Sequence, residues 1–196
     1  MSNVNGKPAG RESGTDFVFD MRSLGRQPGS YREQTRTAHA PDGLGAGLVR
    51  VLPGAEVALD LRFEAVSEGV LVTGSAVAPL SGECARCLEP LASEVEAGIQ
   101  ELYRYLPEPG EDEDDDEEHF LDGDRLDLEP AFRDAVVLAL PLSPLCQDDC
   151  PGLCPECGVR LADAEPDHGH GDNTDPRWGA LRQLDFSDRE QDRQES

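Results

Sequence analysis

Between Val57 and Ala65 every second residue is apolar: Val57, Leu59, Leu61, Phe63 and Ala65 alternate with Ala58, Asp60, Arg62 and Glu64. A period of two places these side chains on one face of a strand and would scatter them around a helix, so the segment must be half of a sheet with a core beneath it. Ser67-Glu68-Gly69 then supplies turn residues, and Val70 to Val77 returns as a second strand, completing a hairpin. A third extended segment starts near Leu91, with Ser93, Val95, Ala97 and Ile99 on one side and Glu94 and Glu96 on the other, and runs towards Tyr103 and Tyr105. Asp16-Phe-Val-Phe-Asp20 has strand character too. The expectation is an antiparallel sheet, with closure into a barrel left open.

The pattern breaks at Pro107, Pro109 and Gly110, followed by eight consecutive acids from Glu111 to Glu118. Mutual repulsion predicts a disordered loop here, serving either as a solubilising spacer or as a seat for a basic partner. Pro130 suits the first turn of a helix, in which Phe132, Val136 and Leu140 recur every four residues with Ala135 and Leu138 alongside, until Pro141 stops it. This helix should cover the sheet. A second short helix is expected from Asp175 as N-cap and Pro176, with Trp178, Leu181 and Leu184 on one side. The fold class is therefore α+β: an antiparallel sheet packed with one helix, then an irregular metal-binding tail with a short C-terminal helix. By residue this gives a disordered head at 1–14, the β domain at 15–106, the acidic loop at 107–124, the helix at 125–142, the Cys/His tail at 143–184 and a disordered end at 185–196.

Charge narrows the function classes. The chain has 17 basic and 41 acidic side chains, a net charge of −24. The excess lies in the second half, because residues 1–100 hold 9 bases and 13 acids while residues 101–196 hold 8 and 28. Such a body repels phosphate backbones and anionic membranes, and attracts basic proteins. The one basic cluster, Arg22, Arg26, Arg32 and Arg36, falls in a stretch that reads as loop and can serve as a local phosphate contact or simply be solvated. No segment has the apolar length of a membrane span, and Met1-Ser-Asn-Val-Asn-Gly-Lys has no signal-peptide core, so a cytosolic protein is expected.

In a reducing compartment, closely spaced cysteines read as metal ligands or redox thiols. Cys154-Pro-Glu-Cys157-Gly158 has the spacing of a zinc-ribbon knuckle, a tight turn that aims two sulfurs and several N–H groups at one point. Cys146 and Cys150 precede it, and His168 and His170 follow. A structural zinc takes four ligands; Cys154 and Cys157 come first, and the set Cys146, Cys150, Cys154 and Cys157 is the leading choice, with His168 and His170 as alternates. Cys84-Ala-Arg-Cys87 stands behind these. It fits half of a second zinc site, a dithiol couple, or two small side chains in a tight turn.

Catalytic constellations are thin. His39 has no evident partner, and His119 ends the acidic run as a solvated side chain. Gly43-Leu-Gly45-Ala-Gly47 lacks the preceding strand and following helix of a dinucleotide-binding loop. A non-enzymatic protein is expected. The competing readings are a thiol redox protein using Cys84 and Cys87, and a nucleic-acid-binding zinc module, which the net charge disfavours.

The ordered set Gly82-Glu-Cys84-Ala-Arg-Cys87-Leu88, an acidic loop, Leu138-Ala-Leu-Pro141-Leu, Pro144-Leu-Cys146, Cys150-Pro-Gly-Leu-Cys154-Pro-Glu-Cys157-Gly and Asp175-Pro-Arg-Trp178 resembles the YceD family. That resemblance implies a role in accumulation of large-subunit ribosomal RNA, with the family's paired cysteines on Cys84 and Cys87 and its tail cysteines on Cys146, Cys150, Cys154 and Cys157. Where many relatives carry C-x-C, this chain has His168-Gly-His170, which leaves the ligand set open. With the charge pattern, it suggests an assembly factor whose acids hold a basic ribosomal protein or pre-ribosomal particle, and whose Arg22, Arg26, Arg32 and Arg36 touch ribosomal RNA.

Overall fold

The computed structural model describes residues 16–106 and 119–170; the run Glu111–Glu118, the expected helix from Asp175 with Trp178, and both chain ends lie outside the described residues. The chain divides into one unit ending at Cys150 and a second beginning at Pro151. The described part of the first contains β1 (Val18–Asp20), β2 (Tyr31–His39), β3 (Gly45–Ala46), β4 (Val49–Val51), β5 (Glu56–Ala65), β6 (Gly69–Glu83), β7 (Pro90–Arg104), β8 (His119–Phe120), β9 (Arg125–Asp127) and α1 (Glu129–Ala139). This is an α+β unit, mostly antiparallel sheet with one helix.

The expected hairpin is β5 and β6, paired from Ala58 opposite Val77 to Ala65 opposite Val70. β6 is the spine of the sheet. Along one edge it pairs with β7 from Gly69 opposite Arg104 to Glu83 opposite Pro90. Its other edge is shared between β5 and, from Leu80 to Gly82, β4. Gly74 lets the strands approach: its φ is +154°, and a Cβ there would stand 2.0 Å from the Asp60 carbonyl oxygen. The sheet is open rather than a closed barrel; among the described residues β2 pairs only with β5 and β3 only with β4.

The inner face carries Val57, Leu59, Leu61, Phe63, Val70, Val72, Val95, Ala97 and Ile99, all buried. It is covered by α1, which packs against β7, and by the small β1–β9 sheet. Phe19 of β1 meets Phe63 at 5.0 Å and Phe17 meets Phe132 of α1 at 4.6 Å between ring centroids. The Asp127 carboxylate accepts from the Glu129 N–H at 3.0 Å to start the helix, Pro130 sits in its first turn, and Leu140 turns extended ahead of Pro141. Phe132, Val136 and Leu140 are buried as expected, but Leu138 is 85% exposed. Two residues beyond Val136 is about 200° around a helix, which puts Leu138 on the opposite face.

The stretch read as a basic loop contains β2. Its alternation is hidden because the inward-facing positions are Arg32, Gln34 and Arg36 instead of apolar residues. Arg36 lies 3.9 Å over the Phe19 ring and donates to the Asp16 and Val18 carbonyls, both at 2.9 Å. Arg32 lies over Phe63 at 5.4 Å and donates to Ser23 Oγ and the Asp20 carbonyl. On an edge strand, long arginine stems cover core rings while their heads serve backbone oxygens. Arg22 pairs with Asp20, and Arg26 stacks on Tyr105 at 4.5 Å. His39, expected to lack a partner, has its Nδ1 2.7 Å from Asp16 Oδ2, and His119, expected to be solvated, stacks on Tyr103 at 5.3 Å.

Candidate metal centres

The two Cys-x-x-Cys segments share one pattern of backbone hydrogen bonds. In the first, the Cys84 N–H donates to the Glu89 carbonyl (2.8 Å) and the Leu88 N–H returns to the Cys84 carbonyl (2.9 Å). In the second, the Cys154 N–H donates to the Val159 carbonyl and the Gly158 N–H to the Cys154 carbonyl, both at 2.8 Å. In each turn the residue after the second cysteine has positive φ, 60° at Leu88 and 72° at Gly158. The second knuckle was legible because glycine marks that conformation. Leucine hid the first, since a non-glycine residue seldom adopts it.

Each knuckle gathers two further donors within its own unit. Cys84 and Cys87, in the β6–β7 connection, meet Cys146 and Cys150, which follow α1. The sulfurs of Cys84 and Cys150 are 3.8 Å apart, and those of Cys87 and Cys146 3.7 Å. A disulfide would need ~2.05 Å. Four sulfurs held ~2.3 Å from one tetrahedral zinc stand ~3.8 Å from each other, which matches the spacing found. The Ala85 N–H to Pro144 carbonyl bond (2.7 Å) and the Arg86 guanidinium to Cys150 carbonyl bond (2.9 Å) tie the two halves together.

In the second unit, Cys154 and Cys157 meet His168 and His170. Cys157 Sγ is 3.6 Å from His168 Nε2 and 3.3 Å from His170 Nε2, near the ~3.6 Å sulfur–nitrogen edge of a tetrahedral zinc site. Glu156 Oε2 stands 3.7 Å from His170 Nδ1, a carboxylate behind the imidazole that favours the tautomer with its free lone pair on Nε2. The expected set Cys146, Cys150, Cys154 and Cys157 is thus divided between two clusters, and Cys84, Cys87, His168 and His170 complete them.

One thiol in each cluster is shifted towards the thiolate. The backbone N–H of Cys87, followed by those of Arg86 and Cys146, holds Cys84 down to about 6 against the opposing effect of burial. Cys146 is pushed up to about 12, first by its hydrogen bond with Cys150, then by burial and the Cys87 and Cys84 sulfurs. Cys154 is held near 6, first by His168 and then by the N–H groups of Cys157 and Glu156. Thiolates packed this closely repel, and a divalent cation relieves the repulsion. Both donor sets are closed at four, which leaves no protein-free position for a reactive water.

The family profile described as "Large ribosomal RNA subunit accumulation protein YceD" matches residues 72–185. Uncharacterized proteins of Mycobacterium tuberculosis and Mycobacterium bovis are each 45% identical over 186 residues, covering 94% of this chain and 88% of the relative. An uncharacterized protein of Mycobacterium leprae is 42% identical over 169 residues, covering 85% and 76%. No solved structure matches. The chain belongs to the YceD family.

Proposed function

We propose that this member of the YceD family works without catalysis, as a zinc-stabilised acidic factor that supports accumulation of large-subunit ribosomal RNA by escorting a basic ribosomal protein. The observation that carries the reading is the family match over residues 72–185, a span that includes both donor sets. Four-thiolate and two-thiolate, two-imidazole sets at tetrahedral spacing suit zinc. A net charge of −24 favours contact with a basic protein, or with protein on a pre-ribosomal particle, over contact with RNA. Any ribosomal RNA contact falls to the exposed Arg22 and Arg26, because Arg32 and Arg36 are occupied by core rings and backbone carbonyls. We assign the work to the cytoplasm on the ribosomal description of the family. No described helix is long and apolar enough to cross a membrane.

The test is binding of purified basic large-subunit proteins to the full chain and to a variant lacking residues 111–118, across a range of salt. The deletion is expected to weaken binding and flatten its salt dependence. Unchanged affinity would sink the escort role. A thiol redox protein using Cys84 and Cys87 is the alternative, favoured by the lowered Cys84 pKa. Its weakness is that Cys84 is fully buried and each sulfur of the pair already faces another thiol.

A further inference from the structure

The two donor sets differ in burial, in anchoring and in charge. In the first, Cys84, Cys87 and Cys150 are buried and only Cys146 is exposed; in the second, only Cys154 is buried, and Cys157 and His170 are exposed. The first joins segments about sixty residues apart, both anchored: one is the loop of the longest hairpin in the sheet, the other follows α1 and is bonded to that loop through Ala85 and Arg86. The second closes on itself within residues 154–170, through turn bonds such as His168 N–H to the Glu165 carbonyl (2.9 Å). With zinc the first set carries a formal charge of −2, offset by the neighbouring Arg86 guanidinium, while the second is neutral and faces solvent.

We infer that the chain binds two zinc ions of unlike permanence: a fixed ion on Cys84, Cys87, Cys146 and Cys150, and an exchangeable ion on Cys154, Cys157, His168 and His170. The inference rests on the zinc part of the reading above and on none of its ribosomal part. Exchange requires an incoming ligand to reach the metal while a protein ligand swings away. Exposed Cys157 and His170 permit both, whereas in the first set only Cys146 is open to solvent and three buried sulfurs must be uncovered before the ion can leave.

The experiment is native mass spectrometry of the full chain loaded with zinc, with release followed by the chromogenic chelator 4-(2-pyridylazo)resorcinol. Two ions are expected, leaving in two phases whose rates differ about 10-fold or more. The double variant His168→Ala/His170→Ala should keep one ion, lose the fast phase and retain its far-ultraviolet circular dichroism. Two ions leaving at one rate, or a fast phase that survives in the variant, would overturn the assignment. A single ion in the unaltered chain would overturn the second site while leaving zinc binding intact. A chain that takes up none would overturn both.

Discussion

At the residue scale the two knuckles pose one backbone problem and solve it differently. Gly158 holds φ +72° with nothing within 4 Å of where a Cβ would stand, so a substitution there meets no clash and alters only backbone preference. Gly158→Ala should therefore cost about 1 kcal/mol. Read by competitive zinc titration, that is a roughly fivefold loss of affinity at the Cys154–His170 site alone, and an unchanged affinity would contradict it. Leu88 adopts φ 60° although the residue is 55% exposed, so packing does not compel the conformation. The bonds from Cys84 and Leu88 across the turn do.

At the element scale, β2 shows how a strand can be held without an apolar face. Its inward arginines fasten β1, a three-residue strand whose other partner is the equally short β9. Arg36 is half-buried, and desolvation is the main cause of its lowered pKa, with Asp16 acting in the opposite direction. Arg36→Ala removes two bonds to carbonyls and the stack on Phe19, and should destabilise the chain by about 2–3 kcal/mol in urea unfolding. Arg36→Lys keeps the charge but not the planar fork, so it should restore less than half of the loss. Full restoration by lysine would show that charge alone matters there.

At the scale of the molecule, the apolar core and the candidate metal clusters are built from different residues. None of the six cysteines belongs to the apolar core cluster, which runs from Phe17 to Leu140. Adding excess chelator under native conditions should leave the far-ultraviolet β signal at 25 °C. It should also lower the melting temperature by about 10 °C or more, because ions bound only to the folded chain stabilise it by mass action. An unchanged melting temperature would mean that the clusters contribute nothing to folding.

The hairpin of β5 and β6, the course of β7, the buried stripe of α1 and the knuckle at Cys154 are legible in the sequence. Each is written in a local period or a glycine at a fixed place. Which donors come together depends instead on how the chain packs. Cys146 and Cys150 lie a few residues from Cys154 along the chain, yet they join Cys84 and Cys87, some sixty residues back. Chain proximity suggested one tail cluster, but pairing along β6 and the path out of α1 bring the hairpin loop to Cys146 and Cys150. That leaves the second knuckle to close on His168 and His170. The strand β2 is illegible in the sequence for a related reason: its inward side chains include arginines, and the rings of Phe19 and Phe63 beneath them show that this face is part of the interior.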